Sequence, residues 1–327
     1  MNARGLTLAA HTAYDAGADR TMRFNKLDLN LLVALDVLLA EASIARAAER
    51  LHMSASATSN ALARLREHLD DELLVQVGRK MELTPRAELL RDAVRDVLTR
   101  VETTIAAQPE FVPARSDREF RLFVSDYSQA TLLPHVAALA WRQSPTIRFS
   151  FLPHVENPQR SLERGEVDLM VMPEDFCSPH HPTEVVLNET FQCVLWEENP
   201  LAQRALSFED YVAASHVIMQ PPGTLAPAFE RWFLERYGIS RKVGITTYSF
   251  AAAAHLVVGT DRIATIHRRL AVQLKKMLPI VLLDPPVPFS NMHQAIQWHK
   301  YRSTDPGIVW LRRVFHDAAR LMDGVHA

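Results

Sequence analysis

The sequence predicts an α/β protein in two parts, and three observations carry that prediction. Residues 27–69 contain three short amphipathic helix patterns, with a tight turn between the second and the third. A pair of short strand patterns and one long amphipathic helix follow, at residues 73–107. From residue 118 onwards strands alternate with helices, which is typical of parallel sheets covered by helices on both faces.

Composition limits the class of protein. The chain has 327 residues, 48% of them hydrophobic, and a formal net charge of -2, so wholesale disorder is excluded and any nucleic-acid binding depends on local clusters of charge. Cys177 and Cys193 are too few for a disulfide framework, which fits a reducing compartment. Residues 1–22 lack the pattern of a signal peptide and predict a disordered extension. We expect a cytoplasmic protein.

The three N-terminal helices are expected at residues 28–41, 44–51 and 55–69, with Asp28, Ser43 and Ser54 as N-caps. A helix, a short turn and a helix that begins with small polar residues are typical of a helix-turn-helix, whose second helix enters the major groove of DNA. A plain helical bundle is the alternative. The candidate DNA-contacting side chains are those of Ser54, Ser56, Thr58, Ser59, Asn60 and Arg64.

The next segment predicts a β-hairpin beside the third helix. Residues 73–77 and 81–84 have strand patterns, and the turn between them is Gly78-Arg79-Lys80. Such a wing would present Arg79 and Lys80 to the phosphate backbone, and the alternative is an exposed hairpin that happens to be basic. The DNA-binding domain then covers residues 23–84.

A long helix starts at Pro85 with Thr84 as its N-cap, and residues 85–117 form a linker helix and hinge. We expect the apolar stripe of this helix to pair with a second copy of the chain, since an isolated helix would have nothing to bury it against. Packing on its own domain is the alternative. The stripe consists of Leu89, Leu90, Val94, Val97, Leu98, Val101 and Ile105.

Residues 23–107 resemble the DNA-binding half of LysR-type transcriptional regulators, particularly the branch of the nodulation and salicylate regulators. The motifs that carry the resemblance are LDLNLLVALDVLLAEASIARAAERL, the turn HMS, SASATSNALARLR and LLVQVGRKMELTPRAE. The resemblance implies operator DNA as a partner and a homodimer or homotetramer, and it allows RNA polymerase as a further partner. Two departures stand out: Ala55-Ser56 replace the usual Gln-Pro, and Gln76 replaces a wing arginine. We therefore expect a single copy to recognise its DNA sequence weakly, and operator binding to rely on the two half-sites that a dimer contacts.

Residues 118–327 are expected to form two subdomains, one from about 118–190 and 296–327 and the other from about 191–295. One helix is expected over residues 129–143, and strands at 191–196 and 295–299 serve as the crossovers. A cleft between such subdomains suits a small ligand.

The same resemblance extends to the C-terminal part through VDLMVMP, IATIHRRLA and QWHKYRSTDPGIVWLRR, and it implies a periplasmic-binding-protein-like effector domain. Rings, hydroxyls and histidines in its cleft would suit an aromatic carboxylate or a phenol. The alternatives are that Ser125 and Ser249 only cap helices and that His216 is a core histidine. The cleft residues that the resemblance implies are Ser125, Asp126, Ser128, His216, Tyr248, Ser249, Phe250 and His267.

No motif of a cofactor site or of an enzyme is present: the chain has no GxSxG, no phosphate-binding glycine loop and no HExxH. Cys177 with His180 and His181 lacks a second ligand pair, so no metal is expected. The sequence predicts a DNA-binding transcription regulator controlled by a small molecule held between the C-terminal subdomains. The alternatives are a small-molecule binding protein whose N-terminal helices only oligomerise it, and a hydrolase using Ser125, Asp126 and His267.

Overall fold

The computed structural model describes residues 29–78, 80–105, 111–220, 236–238, 240–289 and 291–324. The chain divides into two compact units, residues 1–98 and 99–327. The expected extension at 1–22, the cap Asp28 and the wing residue Arg79 lie outside the described residues. So do residues 225–235 of the segment 225–237, for which the sequence pattern, ended by Gly238, predicts a helix. No helix among the described residues is long and apolar enough to span a membrane.

The first unit begins with three helices, α1 Leu29–Glu41, α2 Ile44–Leu51 and α3 Ala55–Leu69. The expected caps are confirmed: Ser43 Oγ accepts the Arg46 amide at 3.4 Å, and Ser54 Oγ accepts the Ala57 amide at 3.2 Å. The turn between α2 and α3 follows from His52, which ends α2 in the left-handed region with φ of 53°. The helices surround a leucine core that includes Leu35, Leu38, Leu62 and Leu65.

A hairpin and a long helix complete this unit. Strands β1 Leu74–Val77 and β2 Lys80–Leu83 pair antiparallel, and α4 runs from Pro85 to Ile105. Lys80 therefore lies in β2, opposite Val77, and not in the turn where the sequence pattern placed it. Thr84 Oγ1 accepts the Ala87 amide at 3.1 Å, which confirms the expected cap of α4.

The apolar stripe of α4 divides into an inner and an outer part. Val94 and Leu98 are buried in the core of the first unit, so the expectation that the whole stripe needs a second copy is wrong for them. Asp36 of α1 also reaches Arg95 of α4, with 2.9 Å between Oδ2 and Nη1. The outer part, exposed in this chain, comprises Leu89, Val97 and Ile105.

The second unit contains two five-stranded sheets. The first has the order β4–β3–β5–β12–β6, and the second β11–β7–β10–β8–β9. The strands of the first are β3 Glu119–Phe123, β4 Arg148–Leu152, β5 Leu169–Pro173, β6 Thr183–Glu189 and β12 Met292–Gln297. Those of the second are β7 Phe191–Trp196, β8 Ser215–Met219, β9 Lys242–Thr247, β10 Ile263–His267 and β11 Ile280–Leu283.

Both sheets are mixed, which corrects the expectation of parallel sheets. β3 runs parallel to β4 and β5, and β8 runs parallel to β9 and β10. β12 is antiparallel to both of its neighbours, and so is β7. The physical reason is the chain path: β7 and β12 each enter their sheet directly from the other one, without a helical crossover that would keep them parallel.

Helices cover both sheets. They are α5 Asp126–Thr131, α6 Leu133–Gln143, α7 Pro158–Glu163, α8 Phe208–Ala213, α9 Phe250–His255, α10 Arg268–Leu274 and α11 Pro306–Gly324. The single helix expected at 129–143 is thus two helices, because Pro134 lacks an amide hydrogen and is tolerated only in a first turn. We call the first sheet with α6, α7 and α11 the first lobe, and the second sheet with α8, α9 and α10 the second lobe.

The lobes have separate cores, and α5 joins them. Phe120, Leu133 and Phe315 belong to the core of the first lobe, and Val194 and Leu270 to that of the second. α5 follows β3 of the first lobe, yet it packs against α9 and α10, and its Tyr127 is part of the second core. The first turn of α5 therefore lies between the lobes.

Candidate functional site

The exposed face of α3 carries most of the predicted DNA-contacting residues. Ser56, Ser59, Asn60 and Arg64 are exposed, whereas Leu62 and Leu65 on the opposite face are buried. Ser54 caps the helix and lies 3.0 Å from Ser56, Oγ to Oγ. A row of small polar groups on an exposed helix face can approach base edges and phosphates closely.

Thr58 does not belong to that face, which corrects its assignment from the sequence. Its side chain is fully buried, and its Oγ1 donates a hydrogen bond to the Ser54 carbonyl oxygen at 3.1 Å. Position 58 is one turn before Leu62 and two turns before Leu65, so the helical period directs it into the core. Thr58 fixes the start of α3 and does not lie on its exposed face.

Arg66 holds the wing against α3, a role that the sequence did not suggest. Its guanidinium donates to the carbonyl oxygens of Glu72 and Leu74, both at 2.8 Å. Asp71 anchors the other end of the hairpin by accepting from Thr84 Oγ1 at 2.6 Å and from the Leu73 amide at 2.7 Å. The Thr84 hydrogen bond in particular lowers the pKa of Asp71. Lys80, at the start of β2, is exposed.

We expect Arg66→Ala to lower operator affinity about tenfold, because two charge-assisted hydrogen bonds that position the wing are lost. Hydrogen exchange of the amides of residues 74–77 should accelerate in the same variant. Glu67→Ala, an exposed position on the same helix, is the control and should leave both measurements near wild type. Unchanged exchange in the Arg66 variant would show that the wing is held by other contacts.

Between the lobes, Asp126 makes a hydrogen-bonded contact from α5 to α9. Its Oδ2 accepts from the Ser249 hydroxyl at 2.7 Å and from the Ala251 amide at 3.1 Å. Ser125 and Ser249 are the N-caps of α5 and α9, accepting the amides of Ser128 and Ala252. The capping alternative for the two serines is therefore observed, and Ser249 in addition donates to the carboxylate of Asp126 in α5.

An aromatic cluster, in which Tyr127 and His267 are buried and Phe191 and Phe250 are half-buried, lies next to this contact. The rings of Tyr127 and His267 are stacked, with 3.9 Å between centroids, and Phe250 and Phe191 lie 4.4 and 5.2 Å from His267. Burial lowers the pKa of His267 to about 3, so the ring is neutral. Its Nδ1 has no hydrogen-bond partner among the described residues.

The Tyr127 hydroxyl connects this cluster to the crossover between β6 and β7. It donates to Oε2 of Glu189 at 2.5 Å, and Nη1 of Arg269 lies 3.4 Å from the same oxygen. Burial and the neighbouring carboxylate raise the pKa of Tyr127 well above its usual range. Ser128, also buried, accepts from Nε2 of Gln294 at 3.2 Å. Sequence patterns gave no signal for Tyr127, Glu189 or Arg269.

Of the two remaining implied cleft residues, one is buried in a core and the other is largely exposed. His216 is a core histidine of the second lobe, which corrects its assignment: Nε2 donates to the Tyr211 carbonyl oxygen at 2.6 Å and Nδ1 accepts from Arg241 at 3.3 Å. Burial, and then the Arg241 charge, lower its pKa to about 3. The Tyr248 ring is 78% exposed. The network between the lobes thus contains Ser125, Asp126, Ser128, Ser249, Phe250 and His267.

A cavity of about 250 Å³ lies at the crossovers between the lobes, and none of the eight implied cleft residues lines it. Among the described residues, no group of three or more His, Cys, Asp or Glu side chains could hold a metal ion. Burial raises the pKa of Cys177 to about 11 and that of Cys193 to about 12, so both are thiols at neutral pH. The cavity is lined by Thr190, Phe191, Pro285, Val287, Pro288, Phe289 and Asn291.

Comparison with known families decides between the alternatives. Residues 29–88 match the bacterial regulatory helix-turn-helix proteins of the lysR family, and residues 113–320 match the LysR substrate binding domain. The chain is a member of the LysR family of transcriptional regulators. This LysR regulator is a DNA-binding protein with a substrate-binding regulatory domain, and it is not an enzyme. Regulators of this family bind operator DNA and small effectors, and they form oligomers.

Similar proteins agree with the family match. The nodulation protein D of Bradyrhizobium sp. (strain ANU 289) is 37% identical to this regulator over 305 residues, 93% of this chain and 90% of that protein. A probable transcriptional regulator of Pseudomonas aeruginosa is 27% identical, with a TM-score of 0.61 over 90% of this chain and 98% of its own. A full-length OxyR variant from the same organism, 19% identical with a TM-score of 0.68 over 90% of this chain and 95% of its own, shares the fold.

Proposed function

We propose that this LysR regulator binds a two-fold operator as a dimer and responds to an aromatic effector held between the two lobes. The observation that carries the proposal is the first turn of α5. Asp126 and Tyr127 belong to the chain that leaves the first lobe, yet both bind groups of the second. A ligand that inserts there must change how the lobes pack.

Operator binding is supported by the exposed faces of α3 and α4. The polar face of α3 with Ser56, Ser59 and Asn60 would enter the major groove, and the wing with Arg79 and Lys80 would follow the phosphates. The outer stripe of Leu89, Val97 and Ile105 would pair with the same stripe of a second copy. Such a dimer presents two α3 helices to two half-sites, and regulatory domains can pair the dimers into a tetramer.

An aromatic effector is supported by the residues around α5. Phe191, Phe250 and His267 offer aromatic contacts, and the Asp126–Ser249 contact that a ligand would have to open lies beside them. Effector binding would shift the population between lobe arrangements and so change the spacing of the DNA-binding units on the operator. RNA polymerase is the partner that would then respond to the altered complex, and the cytoplasm is the compartment in which it would do so.

The test combines DNA binding with a ligand screen. Full-length protein should shift a duplex from its own promoter region and protect two half-sites about 10 base pairs apart, centre to centre. A thermal-shift screen of aromatic acids and phenols should raise the melting temperature for some of them, and those ligands should alter the footprint. A stabilising ligand that leaves the footprint unchanged, or protection of a single half-site, would contradict the proposal.

Asp126→Asn is expected to increase effector affinity about tenfold. The substitution keeps the size of the side chain but weakens the charge-assisted hydrogen bond to Ser249, so opening the lobes costs less. Calorimetric titration with a ligand found in the screen measures the change. Asp117→Asn, an exposed acid of the same unit, is the control. Equal affinities in wild type and Asp126→Asn would show that the contact does not oppose binding.

A further inference from the structure

One carboxylate of the helix-turn-helix binds two arginines at once. Oε2 of Glu41 lies 3.3 Å from Nε of Arg46, and its Oε1 lies 3.0 Å from Nη1 of Arg50. The Arg46 guanidinium also donates to the Glu41 carbonyl oxygen. The arrangement follows from the local chain: α1 ends at Glu41, Ala42 turns with φ of 45°, and Arg46 and Arg50 are one helical turn apart on the same face of α2.

The two arginines are more exposed than the acid that binds them. Their side chains are 64% and 44% exposed, and that of Glu41 is 25% exposed. Exposed ion pairs contribute little to stability, so folding gives no strong reason for this arrangement. The arrangement changes the local charge instead: Glu41, Arg46 and Arg50 together carry +1, whereas the two arginines alone would carry +2.

The position of the group makes that charge relevant to DNA. α2 is the first helix of the helix-turn-helix, and in this motif the first helix crosses the phosphate backbone while the second enters the groove. Arginines on its surface can neutralise phosphates and release counterions, which strengthens binding to any sequence. A carboxylate that shares both arginines competes with the phosphates for the same donors.

We propose that Glu41 limits sequence-independent DNA affinity by engaging Arg46 and Arg50. Phosphate contacts strengthen binding to every duplex, whereas base contacts made by α3 act only on the operator. Glu41 therefore lowers the affinity for the operator and for other DNA by a similar factor, and the ratio of the two affinities stays unchanged. The inference rests on DNA binding by the helix-turn-helix and is independent of the effector.

The test uses Glu41→Gln in the full chain, which removes the charge and keeps the size. Fluorescence anisotropy measures binding to a promoter-region duplex and to a scrambled duplex of equal length, from 50 to 300 mM KCl, roughly the range over which phosphate contacts are resolved. We expect affinity for the scrambled duplex to rise about tenfold at the lowest salt. The slope of log K against log salt should steepen by about 1 to 2, as for one or two added phosphate contacts.

Asp317→Asn is the matched control. It removes one negative charge from an exposed ion pair of the second unit, Asp317–Arg320, and should leave the slope unchanged. The triple variant Glu41→Gln, Arg46→Gln, Arg50→Gln should lose the whole gain. A Glu41→Gln slope equal to that of wild type, or a gain that persists in the triple variant, overturns the inference. Absence of operator binding by the wild type would instead refute DNA binding by this unit.

Discussion

Ser59→Glu is expected to lower operator affinity by at least about 100-fold while leaving the fold intact. Ser59 is exposed on α3, on the face opposite Leu62 and Leu65. A carboxylate at that position would meet the phosphates and the acceptor-rich edges of the groove, and it would displace a residue small enough for close approach. The cost should match the loss of one or more specific base-pair contacts together with added repulsion, about 3 kcal/mol or more.

Anisotropy with the promoter duplex measures the loss, and circular dichroism with thermal melting checks the fold. Gln203→Glu adds the same charge at an exposed position of the second unit and serves as the control. Ser59→Ala, which keeps the residue small, should cost no more than about tenfold. Full operator binding by Ser59→Glu would mean that this face of α3 does not enter the groove.

Ser59 and its neighbour Thr58 show which features of the N-terminal unit could be predicted from the sequence alone. The spacing of apolar residues placed α2 and α3 at the observed residues, and Ser43 and Ser54 cap them as expected. Residue type alone places Thr58 among the candidate DNA-contacting side chains, although the helical period puts it in line with Leu62 and Leu65. Near the start of a helix, a hydroxyl at a buried position can donate a hydrogen bond to a carbonyl oxygen of the preceding turn. The helical period, and not the residue type, then predicts on which face the side chain lies.

The second unit could be predicted less completely. Alternating strands and helices indicated two open sheets, but not that β7 and β12 run antiparallel to their neighbours, because strand direction depends on the path between lobes. The contact of Asp126 with Ser249 joins residues 123 apart in the sequence, and no local pattern reports such a pair. His216 had the residue type of a ligand-binding group, and only its two hydrogen bonds place it in the core.

Arg269→Met is expected to lower the free energy of unfolding of the regulatory domain by about 3 kcal/mol. Glu189 is only 2% exposed, and Arg269 is the cation that lies beside it. Burial acts to lower the pKa of Arg269, but Glu189 and Asp323 outweigh it and the net shift is upward, so the guanidinium stays charged. Methionine would replace the packing of the arginine stem and leave the buried carboxylate without that charge. The melting temperature should fall by roughly 6 to 12 °C.

Two further variants distinguish the loss of the Glu189–Arg269 ion pair from a general destabilisation caused by substituting an arginine. Arg320→Met removes an exposed arginine, 78% of whose side chain is accessible, and should change the stability by less than about 0.5 kcal/mol. Glu189→Gln combined with Arg269→Met removes both charges and should recover at least half of the loss, since no uncompensated charge remains. A single Arg269→Met variant as stable as wild type would mean that water or another group compensates Glu189.

The double variant also connects stability to regulation. Glu189 ends β6 at the crossover into the second lobe, and Tyr127 donates to it from α5, so the ion pair fixes both the crossover and the turn between the lobes. A chain that regains stability without the charges would retain its two cores but hold the lobes less firmly. We therefore expect its reporter output to depend less on effector than that of wild type, at unchanged operator affinity. An unaltered effector response would mean that the Glu189–Arg269 pair contributes to the stability of the fold and not to regulation.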